Sequence, residues 1–209
     1  MIENQQKLTV TKTTYPLMEQ FYSIQGEGHY QGNPAYFIRL GGCDVGCHWC
    51  DVKESWSPDY ERVSSEDLLK EVKDSGTRIV IITGGEPLTY NLDDLTDKLR
   101  GHGLRTHIET SGVYEMTGEW DWVCLSPKKF RKPHPGAWAK ADELKVVVYH
   151  PSDIEWAATQ ALKVRNSCKL FLQPEWSRQE EVLPLIIDYV RDNPKWNISL
   201  QIHKFMNIR

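Results

Sequence analysis

The sequence lacks any long hydrophobic run. No stretch approaches the roughly 20 apolar residues that a membrane-spanning helix needs. Its first seven residues, 1–7, are polar and contain no apolar segment of the kind found in a secretory leader. These absences predict a cytoplasmic protein without a membrane partner, in a reducing compartment where thiols stay free.

An excess of positive charge is also missing. Asp and Glu number 29 against 25 Lys and Arg, and the formal net charge is −4. Proteins that bind nucleic acid place Lys and Arg against the phosphates, so we predict no nucleic-acid partner. With 209 residues, 40% of them hydrophobic, the chain has the length and composition of one globular domain covering 1–209.

Cysteine is scarce, and its distribution is uneven. Of five cysteines, Cys124 and Cys168 stand alone within apolar runs, where we predict buried core thiols. The other three, Cys43, Cys47 and Cys50, share one short segment with C-x3-C-x2-C spacing, here called the cluster loop (43–50). Three thiolates leave one iron of a four-iron cubane without a protein ligand, which is typical of a reactive iron–sulfur site.

The cluster loop has a second interpretation, a zinc knuckle. His48 or His29 would then supply the fourth ligand. Zinc sites usually join one pair of ligands to a distant second pair, and the sequence has no second cysteine pair. The spacing therefore favours iron–sulfur over zinc but leaves both open.

Apolar runs of strand length alternate with helical stretches along much of the chain. We predict strands at 35–40, 78–83, 105–110, 121–126, 143–149, 169–173 and 197–202, and helices at 64–75, 91–101, 152–165 and 178–193. This alternation predicts an α/β fold with mainly parallel strands. Because some crossover helices are missing, and a full barrel needs about 250 residues, we expect a partial, incomplete TIM-like barrel.

Polar and glycine-rich segments follow five of the predicted strands. In parallel α/β folds the carboxyl ends of the strands meet at one rim, where reactive groups lie. We therefore expect five segments to converge there: the cluster loop, Gly-Gly-Glu-Pro at 84–87, Glu-Thr-Ser-Gly at 109–112, Ser-Pro-Lys at 126–128 and Gln-Pro-Glu-Trp at 173–176.

Together, the cluster loop and the 84–87 turn resemble the radical S-adenosylmethionine (SAM) superfamily. The resemblance implies a [4Fe–4S] cluster held by Cys43, Cys47 and Cys50, with SAM chelating the open iron. The turn makes physical sense without the family, since glycines let the backbone approach a ligand closely and Glu86 can accept hydrogen bonds from an ammonium.

A narrower resemblance covers nearly the whole chain. Gln-Gly-Glu-Gly at 25–28, Arg39 before the first cysteine, Ser-Pro-Lys at 126–128 and Gln-Ile-His-Lys at 201–204 are similar to the 7-carboxy-7-deazaguanine synthase (QueE) family. The resemblance implies a lyase that converts 6-carboxy-5,6,7,8-tetrahydropterin to 7-carboxy-7-deazaguanine with loss of ammonia, in queuosine and 7-deazapurine biosynthesis. The radical chemistry is carried by the cofactor, so no catalytic side chain is implied.

The family's binding roles carry over by position. SAM is expected to contact Trp49, Cys50, Asp51, Gly85, Glu86, Ser111, Ser126, Pro127, Lys128, Gln173, Pro174, Glu175 and Trp176. The pterin is expected to contact Ile24, Gln25, Gly26, Glu27, Arg39, Thr83, His203 and Arg209. Arg39 would pair with the substrate carboxylate, and the C-terminal segment, about 197–209, would close over the pocket.

Magnesium is the one point where the chain departs from the family pattern. The family commonly has a threonine that binds Mg²⁺ where this chain has Val52, whose side chain offers no oxygen. Either substrate, water and another group such as Asp51 or Glu54 hold the ion, or the enzyme works without it.

The family also implies partners. A reducing partner such as flavodoxin or ferredoxin is expected, as is a homodimer. Two other functions remain open at this point: a radical SAM activase that makes a glycyl radical on a partner protein, and a non-catalytic iron–sulfur or zinc-binding module.

Overall fold

Nine strands form one sheet in the computed structural model, which describes residues 12–209. Residues 1–7, which we used to argue against a leader, lie outside this range. The strands are β1 (Thr14–Ile24), β2 (Pro34–Leu40), β3 (Arg62–Ser64), β4 (Ile79–Gly84), β5 (Arg105–Thr110), β6 (Trp122–Leu125), β7 (Glu143–Val148), β8 (Lys169–Pro174) and β9 (Trp196–Ile198).

Six α-helices accompany the described sheet. They are α1 (Ser65–Asp74), α2 (Asp93–Gly101), α3 (Pro135–Lys140), α4 (Ser152–Ala161), α5 (Gln179–Asp192) and α6 (Ile202–Met206). Ser64 caps α1, because its hydroxyl accepts a hydrogen bond from the Asp67 amide at 3.2 Å. Over residues 12–209, none of the helices has the length and apolar character that crossing a bilayer requires.

The strand order is β3-β1-β2-β4-β5-β6-β7-β8-β9. From β2 to β9 every neighbouring pair is parallel, whereas β1 runs antiparallel to both of its neighbours. The sheet is open, with β3 and β9 at its two edges. These features confirm the predicted α/β class and the partial barrel of mainly parallel strands.

The two faces of the sheet differ in chemistry. Successive side chains of a strand point to opposite faces. In β7, Leu144, Val146 and Val148 join a hydrophobic core with residues of α4 and α5, whereas the alternate residues Lys145 and Val147 line a cavity. A second core, built on β2, β4 and β5 with α1 and α2, covers the other half of the helical face.

Some boundaries differ from the prediction. Strand β1 was missed because its alternation is interrupted by Pro16 and by an irregularity between Leu17 and Glu19. The three-residue β3 and the six-residue α3 are too short to show a period. The strand predicted at 197–202 is wrong in its second half, since β9 ends at Ile198 and α6 begins at Ile202.

Candidate active site at the carboxyl ends of the strands

A cavity of about 310 Å³ lies where the carboxyl ends of the strands meet. All five segments expected at this rim contribute to it: the cluster loop and the turns that follow β4, β5, β6 and β8. Every residue predicted to bind a cofactor or substrate lines the cavity except Pro127. Pro127 is buried between Ser126 and Lys128, and the alternation of extended chain turns it away while its neighbours face the cavity.

The three thiols of the cluster loop lie at the cavity wall. All three are free and partly exposed. Within residues 12–209, no three His, Cys, Asp or Glu side chains converge closely enough to hold a single metal ion. In a cubane each thiolate binds a different iron, so three free thiols facing one cavity fit an iron–sulfur cluster with one open iron.

The glycine turn after β4 packs directly on the cluster loop. The Gly85 amide donates to Leu40 O, and the Glu86 amide donates to Gly42 O, both at 2.9 Å. A Cβ atom on Gly85 would lie 2.6 Å from both Cys43 Cβ and Ser55 O, which is too close for any larger residue. The glycine therefore sets how closely the turn approaches the first cysteine.

Glu86 lines the cavity, but its carboxylate is engaged by the protein itself. One oxygen accepts from the Leu88 amide at 3.1 Å and from Thr110 Oγ1 at 2.5 Å. The other accepts from the amide and the hydroxyl of Ser111, the amide at 2.9 Å. A carboxylate has about four acceptor positions, so the expected role of this side chain as acceptor for an ammonium is not supported. Its carboxylate instead fixes the Thr110–Ser111 turn.

Aromatic rings flank the cavity mouth. Trp49 of the cluster loop stacks on Tyr149, with ring centroids 5.7 Å apart and planes 20° from parallel. On another side, Trp176 packs edge-to-face on Phe205 of α6 and lies under the Lys204 ammonium. Such surfaces suit a flat heterocycle such as adenine.

Lys128 reaches the cavity next to the second cysteine. Its ammonium donates to Ser126 Oγ at 2.7 Å. Burial lowers the pKa of Lys128, an effect that the nearby Cys47 opposes. Burial also raises the pKa of the Cys47 thiol, and the Lys128 charge works against that rise.

Two arginines meet at a third part of the wall through one shared acid. Arg39 Nε donates to Glu19 Oε1 at 2.8 Å, because these residues are cross-strand neighbours in β1 and β2. The other oxygen of Glu19 lies 3.4 Å from the Arg209 guanidinium. Since Glu19 accepts a hydrogen bond only from Nε of Arg39, the two terminal nitrogens of the guanidinium remain for a substrate carboxylate. Ser23 also holds the chain end, donating to Arg209 O at 2.7 Å.

The C-terminal segment packs against the 25–28 turn. The Ile202 amide donates to Gly26 O at 3.0 Å, and the His203 ring lies directly against Gly26, where a Cβ atom would clash with it. Gln201 Nε2 donates to Glu27 Oε1 at 2.8 Å. The C-terminal segment, predicted to close over the substrate, therefore forms one wall of the cavity together with the 25–28 turn, predicted to contact the pterin.

A buried charge cluster below this wall was missed in the sequence. Lys145 Nζ donates to Glu27 Oε2 and lies 4.0 Å from Glu109 Oε1. Gln25 links the two acids, since its Oε1 accepts from the Glu27 amide at 3.0 Å and its Nε2 donates to Glu109 at 2.9 Å. The signal was present in Glu-Leu-Lys-Val-Val-Val at 143–148, where charged and apolar residues alternate at strand period.

The described residues do not fit the family's magnesium site. Val52 lines the cavity without an oxygen to offer. The neighbouring Asp51 carboxylate accepts from Lys204 Nζ and Gln201 Nε2, each at 3.1 Å. Both bonds reach the same oxygen, Oδ2, so the Lys204 ammonium places a positive charge beside any cation that this carboxylate would bind.

Known proteins are similar to this chain in sequence over most of its length. Residues 37–124 match the radical SAM superfamily model. A 7-carboxy-7-deazaguanine synthase from Flavobacterium psychrophilum is 53% identical over 193 residues, with 92% of each chain covered. One from Synechocystis sp. is 42% identical, with 94% of each chain covered.

A solved structure agrees with these relatives. The crystal structure of QueE from Escherichia coli matches with a TM-score of 0.81 and 34% identity, covering 90% of this chain and 93% of that one. Neither an activase nor a non-catalytic module is favoured by these relatives. The resemblance inferred from the motifs is confirmed, and superfamily membership implies a [4Fe–4S] cluster and SAM. The chain belongs to the 7-carboxy-7-deazaguanine synthase family of radical SAM enzymes.

Proposed function

We propose that the chain converts 6-carboxy-5,6,7,8-tetrahydropterin to 7-carboxy-7-deazaguanine with loss of ammonia, for queuosine or another 7-deazapurine. The observation that carries this proposal is the cavity itself. One side presents the three thiols and the glycine turn of a radical SAM site, and the other presents arginines and carboxylates suited to an acidic, N–H-rich heterocycle.

The cofactor side would be held by residues that already meet there. Cys43, Cys47 and Cys50 would bind the [4Fe–4S] cluster. SAM would lie against Trp49, Asp51, Gly85, Glu86, Ser111, Ser126, Lys128 and the residues 173–176, which all line the cavity. When bound, the cluster and SAM supply a radical that abstracts hydrogen from carbon.

The protein's own contribution is orientation and exclusion of water. Arg39 would hold the substrate carboxylate, with Arg209 next to it across Glu19. Thr83, Glu27, Gln25 and the backbone of Ile24 and Gly26 would hold the ring, with His203 closing the wall. A fixed ring matters because a misplaced substrate would expose the wrong carbon–hydrogen bond to the radical.

The direct test uses anaerobically purified, reconstituted protein. Dithionite, SAM and 6-carboxytetrahydropterin are added, and 7-carboxy-7-deazaguanine and 5′-deoxyadenosine are followed by mass spectrometry. Formation of 7-carboxy-7-deazaguanine supports the proposal; loss of ammonia from the pterin is redox-neutral, so coupled turnover needs no stoichiometric 5′-deoxyadenosine. Cleavage of SAM without product would reject the substrate while leaving the superfamily chemistry in place, and a protein partner would then be the next substrate to test.

Magnesium calls for a separate comparison. Because Val52 has no oxygen and Asp51 is paired with Lys204, we propose that activity depends weakly or not at all on Mg²⁺. Val52→Thr should respond more strongly to Mg²⁺ than the parent does. Saturation of the parent at low Mg²⁺ would contradict this proposal.

The remaining features of the proposal concern the protein's surroundings. We propose that residues 1–209 work as a single radical SAM domain in the cytoplasm, as a homodimer reduced by flavodoxin or ferredoxin. The three free thiols, which need a reducing compartment, support the location. Sedimentation of the holoenzyme and replacement of dithionite by purified flavodoxin or ferredoxin test the other two features.

A further inference from the structure

One charged residue of the cavity wall has no role in the proposed function so far. Lys145, on β7, has only 6% of its side chain exposed, yet it lines the cavity. Its ammonium donates to Glu27 and lies 4.0 Å from Glu109. A lysine is rarely buried unless it is paired, and here one cation faces two acids.

Both acids are held in one hydrogen-bonded frame. Besides Lys145, Glu27 accepts from Gln201 at its other oxygen, at 2.8 Å. Glu109 accepts from Gln25 Nε2 at 2.9 Å and from Thr83 Oγ1 at 3.2 Å, one on each oxygen. Each carboxylate oxygen thus accepts one hydrogen bond and keeps a further lone pair, so both acids can accept from a ligand in the cavity.

We propose that Lys145 is a positioning residue that holds Glu27, beside Glu109, as an acceptor for the N–H edge of a 2-amino-4-oxo ring. The inference rests on the proposed function, because it concerns how the same cavity chooses its ring. Pterins carry an amino group next to a ring N–H, which are two donors on one edge. Lumazines carry a carbonyl in place of that amino group, and the carbonyl oxygen would face a carboxylate and be repelled.

The charge balance of the cluster supports this role. Burial alone would lower the pKa of Lys145, but Cys124 and the surrounding Glu27, Glu109 and Glu143 raise it well above its usual value. Burial likewise would raise the pKa of Glu27, and the Lys145 charge instead lowers it to about 2. The other titratable groups around this pair are Glu109, Cys124, Lys128, Glu143 and His203.

Removal of the cation should change the protonation state of Glu27. Burial raises the pKa of this carboxyl, and without the Lys145 charge to oppose that rise it should take up a proton more readily. A protonated carboxyl donates a hydrogen bond and would therefore face the N–H donors of the pterin with a donor of its own. Without Lys145, binding of the pterin should weaken at low pH and recover as pH rises.

The first test measures kcat/KM for the conversion of 6-carboxytetrahydropterin to 7-carboxy-7-deazaguanine by the holoenzyme. Its pH profile between about pH 6 and 9 is compared between the parent and the variants. Lys145→Met should lower kcat/KM roughly 10- to 100-fold near neutrality, with the acid limb moved to higher pH. Lys145→Arg should restore the position of that limb because it keeps the charge. Lys169→Met, an exposed lysine at the start of neighbouring β8, is the matched control and should resemble the parent. A loss that is uniform across pH in Lys145→Met would show a merely structural role and overturn the proposal.

The second test measures binding without turnover. Quenching of ring fluorescence would give Kd values of the holoenzyme for 6-carboxypterin and 6-carboxylumazine. The parent should prefer the pterin roughly tenfold or more, and Lys145→Met should narrow that preference. If the parent binds 6-carboxypterin and converts 6-carboxytetrahydropterin, but Lys145→Met keeps the full preference for the pterin, the inference about Lys145 fails alone. If the parent neither binds 6-carboxypterin nor converts 6-carboxytetrahydropterin, the proposed function fails.

Discussion

The two halves of the cavity are formed by different chemical groups. The cofactor half, around the cluster loop and the 84–87 turn, relies on backbone and glycine, and its one buried acid, Glu86, is saturated by donors from the chain. The substrate half relies on charged side chains, Arg39, Glu27, Lys145 and Glu109, that keep free hydrogen-bonding capacity.

This difference predicts opposite sensitivities. Close packing at Gly85 leaves no room for added atoms, and the Glu86 carboxylate already accepts from donors of the chain. The substrate half is held together by ion pairs, so loss of a single charge changes the protonation or pairing of the neighbouring side chains. Added volume should therefore disturb the cofactor half, and a deleted charge should disturb the substrate half.

The largest effect is expected at the three thiols. Replacing Cys43, Cys47 or Cys50 by alanine removes one iron ligand, so the cluster should not assemble and both SAM cleavage and product formation should be abolished. Iron and sulfide content after reconstitution gives the measurement. Cys168→Ala is the control, since that thiol is buried away from the cavity, and it should keep full iron content. A cluster retained at parental iron content in any of the three variants would exclude that cysteine as a ligand.

A steric change tests the cofactor half next. Gly85→Ala places a methyl group 2.6 Å from Cys43 Cβ and Ser55 O, which should cost about 2 kcal/mol in the free energy of unfolding and reduce cluster occupancy. Denaturant unfolding and iron analysis measure the two effects. Gly101→Ala, where nothing lies within 4 Å of the added atom, should be neutral or slightly stabilising. If both variants were equally stable, close packing would not define this half.

A charge deletion tests the substrate half. Arg39→Ala should lower product formation roughly 10- to 100-fold while SAM cleavage continues, because a charge-assisted carboxylate contact is lost without disturbing the cluster loop. The ratio of 5′-deoxyadenosine to 7-carboxy-7-deazaguanine is the measurement, and it should rise. Arg62→Ala, on the exposed edge strand β3, should leave that ratio unchanged. Small and equal losses of both products would argue that Arg39 serves only its ion pair with Glu19.

The same contrast explains what could be predicted from the sequence. The cofactor half follows from local spacing: three cysteines within eight residues and a glycine turn at a strand end are visible as they stand. The charge cluster joins Glu27 to Lys145, 118 positions apart, and no local pattern pairs them. Glu19 was missed for a related reason, since it reaches Arg39 only after the irregular β1 pairs with β2. Sequence therefore predicts motifs that are continuous in the chain, and the fold supplies partners that are not.

An effect confined to stability at low pH is expected at His107, which lies on β5 two residues before Glu109. Its ring is buried, its Nε2 has no hydrogen-bond partner among the described residues, and burial lowers its pKa to about 4. Below its ordinary pKa of 6.5 the unfolded chain takes up a proton that the folded chain refuses, so stability falls as pH drops from 6.5 towards 4. Between about pH 7 and pH 5 this linkage should remove about 2 kcal/mol from the free energy of unfolding.

His107→Phe keeps a ring in the site and removes the titration, so its unfolding free energy should decline less over that interval, by about the same 2 kcal/mol. Denaturant unfolding at the two pH values measures the difference between variant and parent, in which the other titrating groups cancel. His102→Phe, at an exposed position just after α2, should decline as the parent does. Equal declines for His107→Phe and the parent would mean that His107 takes up its proton in the folded chain as it does in the unfolded chain, so that burial does not lower its pKa.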